Sequence, residues 1–135
     1  MTPRVISLDD LCIHQVCLSG TCDFASSVGV LVDAQIKRTA IWNPMVEAVG
    51  EAEALSIWKD SGLVADSLCA AELGAGSEHL RAMLDRADSF DARTVVMITG
   101  GFGPNAAAGC DWQTIDDARA ELVDRLAEAD ALARP

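Results

Sequence analysis

His14 and Glu72 are the residues of this 135-residue chain best suited, by type and place, to move a proton. Each stands near the end of an apolar run, where an imidazole and a carboxylate can serve as general acid and base. Trp42 and Asn43 make a second pair of interest. An indole gives a flat platform to the C–H face of a sugar, and an amide beside it can bond hydroxyls. Gln15, Ser67, Cys69 and the stretch Thr99 to Asn105, which holds Gly100 and Gly101, fall at comparable places in the pattern. Polar groups arriving at one rim from four strands would make a small polar pocket with one aromatic wall, a setting for a polyol or sugar. The candidate roles are therefore catalysis for His14 and Glu72, and substrate contact for Trp42, Asn43, Gly100 and Gly101.

Each candidate also has a plainer reading. His14 lies inside an alternating strand pattern, where a satisfied core histidine is the commoner occupant. His79 stands beside a helix start and reads as solvated. Cys69 reads as a buried thiol, because no positioned base is visible near it. The Gly-rich stretch is not followed at once by a helix, so it lacks the context of a phosphate-binding turn and reads as a rim loop. One carboxylate and one histidine do not fill a catalytic metal site, which takes three protein ligands. The five cysteines are odd in number and contain no CxxC pair, which points to small buried hydrophobes rather than zinc.

The elements that must hold these residues repeat. Apolar runs near Cys12 to Leu18, Thr39 to Trp42, Leu63 to Cys69 and Thr94 to Thr99 are each followed by a turn and a stretch of helical period. Their spacing of roughly 25–30 residues is that of a strand–helix unit. Ser19-Gly20-Thr21 is placed to cap a helix carrying Phe24, Val28, Leu31, Val32 and Ile36. Pro44 ends the second strand, and a helix from Glu51 to Asp60 closes at Lys59 and Gly62. Ser77 is placed to cap a helix bearing Leu80, Met83, Leu84, Ala87 and Phe90. The fourth strand reads as covered on both faces. Thr114 with Asp117 resembles a capping box before a helix that packs through Ile115, Ala118, Leu122, Leu126 and Ala129. The expected fold class is α/β: half of a (β/α)₈ TIM barrel, four βα units with a parallel sheet, in a single domain 1–135. An open doubly wound sheet competes, but the phosphate loop after its first strand is missing.

The charge narrows the partners. A net charge of −11 and a pI near 4.3 argue against nucleic acid and against an anionic membrane. No stretch reaches the roughly 18 apolar residues of a membrane span, and no signal-like block opens the chain, so a cytoplasmic location is expected.

The stretches Thr39 to Gly50 (TAIWNPMVEAVG), Ser61 to Cys69 (SGLVADSLC) and Val95 to Pro104 (VVMITGGFGP) together resemble the xylose-isomerase-like TIM barrels. That family comprises sugar phosphate isomerases/epimerases, grouped with the second family of apurinic endonucleases. The resemblance covers most of the chain, in order and spacing. It implies a (β/α)₈ barrel and a divalent metal (Mn or Mg) that helps move protons between neighbouring sugar carbons. The family's metal ligands lie mainly on strands five to eight, and this chain ends at Ala133-Arg134-Pro135, where a fifth strand should begin. No position here matches them. Asn43 stands where a basic residue is expected after the Trp, and Ala70-Ala71 where a basic-Gly pattern is common. The acidic charge disfavours the nucleic-acid-cleaving branch. The implied partners are a small-molecule substrate and either a second copy, giving a homo-oligomer, or a complementary C-terminal half. A non-catalytic binding or oligomerising scaffold is the alternative, and a metal-free isomerase or cyclase of a non-sugar metabolite a third.

Overall fold

A computed structural model describes residues 6–99 and 114–134. Its strands β1 (Cys12–His14), β2 (Arg38–Trp42), β3 (Val64–Glu72) and β4 (Val95–Ile98) form one sheet in the order β1-β2-β3-β4. β1 and β3 each pair with β2 in parallel. Sequential order with parallel pairing is the pattern of a (β/α) barrel wall, whereas a doubly wound sheet reverses its order at a switch point. The fold is α/β with four parallel strands in one sheet, the arrangement of half a barrel. The helices are α1 (Phe24–Asp33), α2 (Asn43–Val49), α3 (Glu51–Ser61), α4 (Gly76–Ser89) and α5 (Ile115–Ala133).

The described residues pack as two compact units, one from the described parts of Met1–Cys69 with Ala87–Thr94, the other from Ala70–Arg86 with the described parts of Val95–Pro135. In the first unit, Phe24, Val28 and Leu31 recur at helical spacing and turn one face of α1 inward. Ile41 and Leu68, partners across β2 and β3, are fully buried. Phe90 is the hub of an aromatic cluster, edge-on to Phe24 at 6.4 Å and to Trp58 at 5.9 Å between ring centroids. In the second unit, Ala71, Leu80 and Met83 are buried.

Several boundaries differ from the sequence expectation, each for a local reason. β1 stops at His14 because the chain then turns through a short 3₁₀ segment, Gln15–Cys17, whose first free N–H, that of Val16, is taken by the His14 Nδ1 at 3.1 Å. The cap of α1 is Asp23, accepting from the Ser26 N–H at 2.8 Å, rather than the Ser19-Gly20-Thr21 turn. Ser19 and Thr21 instead donate back to the carbonyls of Val16 and Leu18. Pro44 does end β2, and it does so by entering the first turn of α2, where its missing N–H costs nothing. Gly50 (φ 92°) then separates α2 from α3, and Gly62 (φ 69°) closes α3 in the left-handed conformation. α4 starts at Gly76, one residue before Ser77. Thr114 does cap α5, accepting from the Asp117 N–H at 3.1 Å. That helix buries Ala118 and Ala129 but leaves Ile115 (61% exposed) and Leu126 exposed, so its packed face is the alanine face and not the full predicted stripe. β4, expected to be covered on both faces, exposes Val96 and Ile98.

Candidate functional site

The carboxyl ends of β1 and β2 are tied together by one residue. Gln15 is completely buried and donates its amide to the Ser27 hydroxyl of α1 at 3.0 Å. Its carbonyl oxygen accepts from the Trp42 backbone N–H, also at 3.0 Å. Both ends of the amide are thus satisfied, and the last residue of β2 is fixed against the turn that follows β1. Thr39 adds a second tie, its buried hydroxyl donating to the Ile13 carbonyl at 2.5 Å. The place of Gln15 in the sequence pattern suggests a rim contact for a ligand; its burial and its bonds to Ser27 and Trp42 make it a residue that positions its neighbours.

His14 and Trp42 are brought together at this rim. Their rings meet edge-on with centroids 5.8 Å apart, and both residues are partly buried. Because Nδ1 of His14 accepts from Val16, the neutral ring carries its proton on Nε2 and presents a donor. Burial holds its pKa below the usual histidine value. The proton is therefore bound more readily by the unfolded chain, so stability should fall as pH drops below about 6.5, the ordinary value, toward the lower folded one. Thermal melts of wild type and His14→Gln across pH 7.5 to 5 check this: the variant's acid loss is expected to be shallower.

Beside Trp42 lies a cleft of about 590 Å³, whose lining includes Ser19, Cys22, Asp23, Met45 and Val49. Its size is that of a small-ligand site, and its lining mixes apolar residues with the polar Ser19 and Asp23. Asp23 stays a carboxylate there, its pKa lowered by the Ser26 N–H. Cys22 and Asp23 were not among the residues singled out from sequence; their places follow from the Asp23 cap, which the Ser19-Gly20-Thr21 reading displaced.

The other candidates fall elsewhere. Asn43 is buried at the start of α2 and donates to Glu47 at 2.9 Å, one helical turn on. Glu72 is exposed, the last residue of β3 in the second unit, and its backbone N–H faces the His79 Nε2 at 3.4 Å. His79 is accordingly partly buried rather than simply solvated. A cleft of about 30 Å³ next to Glu72, lined also by Met97 and Arg125, is too small for a metabolite. Gly100 and Gly101 lie outside the described residues.

At the opposite end of the strands, a bulge between Thr39 and Ala40 leaves Asp66 as the extra residue of β3. Asp66 accepts from Arg38 Nε at 2.8 Å and from its Nη2 in a bidentate pair, which lowers the Asp66 pKa. The Cys12 thiol is pushed up to about 11, first by local desolvation although the residue as a whole is exposed, then by the Asp66 carboxylate, and stays protonated. Past the bulge, Ser67 and Cys69 stand opposite Ala40 and Trp42, on their face of the sheet. Cys69 is buried and its thiol also raised, as suits a structural cysteine. Among the described residues no group of three His, Cys, Asp or Glu is arranged to hold a metal, so these residues do not by themselves fit the divalent ion the resemblance implies.

No family model and no curated protein matches this chain. The structure is similar to the crystal structure of protein SMc04130 from Sinorhizobium meliloti 1021, with a TM-score of 0.79 and 25% sequence identity. The match takes in 95% of this chain and 48% of that one, so the chain spans about half the length of the solved protein whose fold it shares.

Proposed function

We propose that this chain is the N-terminal half of a sugar (phosphate) isomerase/epimerase-type barrel of the xylose-isomerase-like kind. It binds a small polar metabolite at the Trp42 rim and needs a second copy or a C-terminal half for metal-dependent proton transfer. The observation that carries the reading is the sheet itself, four strands in sequential order, together with a fold neighbour about twice as long. β1 and β4 end the sheet order, and β4 leaves Val96 (41%) and Ile98 (42%) exposed, apolar surface that a further strand layer would cover. In this reading Trp42 is the platform for the sugar, and His14 donates from Nε2 to a sugar oxygen. The metal would be held by the other half, and none of these steps runs through it. No described helix is long and apolar enough to cross a membrane; a cytoplasmic location is part of the proposal.

The test is proton exchange. Aldoses and ketoses incubated in D₂O with the chain and Mn²⁺ should take up deuterium at the carbon beside the carbonyl, and His14→Gln should slow this by about 10²-fold or more. Absence of exchange for the chain alone and with any complementary half would favour the second reading, a non-catalytic scaffold.

A further inference from the structure

The basic residues of the first unit are segregated. Its four described cations are Lys37, Arg38, Lys59 and Arg93. Lys37 and Arg38 sit at the start of β2, Lys59 in the last turn of α3 just before β3, and Arg93 just before β4. All four stand where strands begin. Two of them are paired there, Lys37 with Asp9 at 2.6 Å and Arg38 with Asp66. The cleft at the other end of the strands has no Lys or Arg in its lining. It has instead the Asp23 carboxylate, which caps the start of α1; the start of α2, which also meets the cleft through Trp42, Pro44 and Met45, belongs to a helix of only seven residues with Pro44, which has no N–H, in its first turn. A phosphate group placed there would meet a like charge and find no Lys or Arg in the lining to offset it.

We propose that the cleft beside Trp42 takes an uncharged polyhydroxylated ligand, a polyol or an unphosphorylated sugar, and discriminates against its phosphate ester. This rests on the metabolite-binding reading above and narrows it. The C–H face of the ligand lies on the Trp42 indole, while Asp23 and Ser19, both in the lining, accept from hydroxyls. Asn43, the residue after Trp42, is buried and donates to Glu47 of its own helix, and it is not part of the lining.

Saturation-transfer NMR on the 135-residue chain at low ionic strength tests this, with D-fructose, D-xylose and myo-inositol as probes beside D-fructose 6-phosphate and inorganic phosphate. At least one uncharged probe is expected to bind, with fructose 6-phosphate weaker than fructose by about ten-fold or more. Trp42→Ala should abolish the signal. Val49→Trp, a change at an exposed lining residue that fills the cleft, should do the same without touching the strand end. Ala48→Lys, adding a cation to the lining, should raise fructose 6-phosphate binding several-fold. If fructose 6-phosphate binds wild type as tightly as fructose and Val49→Trp removes both, the ligand class is wrong while the metabolite site stands. If no probe binds, or binding survives Val49→Trp and Trp42→Ala alike, the metabolite-site reading falls and this inference with it.

Discussion

Phe90→Ala is expected to lower the unfolding free energy by about 3–5 kcal/mol, the cost of removing a buried aromatic ring and leaving part of its volume empty. Phe90 is 2% exposed and is the residue that Phe24 and Trp58 both touch edge-on. Its loss removes two ring–ring contacts and the apolar area of one large side chain together. Its two ring partners come from different helices, Phe24 from α1 and Trp58 from α3, each held in place by its own helix. Urea unfolding followed by far-UV circular dichroism reads this out. Phe90→Leu should recover much of the loss, since it refills most of the volume. A loss below about 1 kcal/mol for the alanine variant would mean that the cluster is not the centre of the first unit's core.

Gln15→Met should cost about 1–3 kcal/mol, and its effect should reach the candidate site. Methionine keeps the length of the side chain but neither donates to Ser27 nor accepts from Trp42. The Trp42 N–H is then left at a part-buried position without its acceptor. Ser27 is less affected, because its own hydroxyl still donates to the Phe24 carbonyl at 2.8 Å. The strand end that positions Trp42 is loosened, so the His14–Trp42 ring contact should weaken along with stability. Denaturant unfolding gives the first effect. The chemical shifts of the His14 ring give the second, and unchanged shifts would separate Gln15 from the site.

The repeating pattern was legible in the sequence because a strand–helix unit writes its period plainly, as α1 shows through Phe24, Val28 and Leu31. Pro44 and Gly62 marked their boundaries for reasons of backbone geometry that hold in any context. Trp42 could be placed at a strand end on the same grounds. What could not be read was Gln15. Its alternation placed it on the face opposite His14, and only the turn after β1, made by side-chain-to-backbone bonds from His14 and Ser19, sends its amide inward. Asp23 was hidden for a related reason, since Ser19, Thr21 and Asp23 are all capping residue types and only the folded chain selects among them. The short helix α2 was missed because Pro44 reads as a strand terminator as readily as a first-turn residue. The bulge at Asp66 has no sequence mark at all.

Sedimentation velocity of the chain over a wide concentration range, with and without Mn²⁺, tests the half-barrel account most directly when paired with binding of an apolar dye. The account predicts self-association to twice the 14.2 kDa chain mass, with dye-binding surface disappearing as the dimer forms and with added thermal stability when the metal is present. A monomer at every concentration that binds no dye and ignores Mn²⁺ would contradict it, because a chain with no apolar face to cover has no need of a second half.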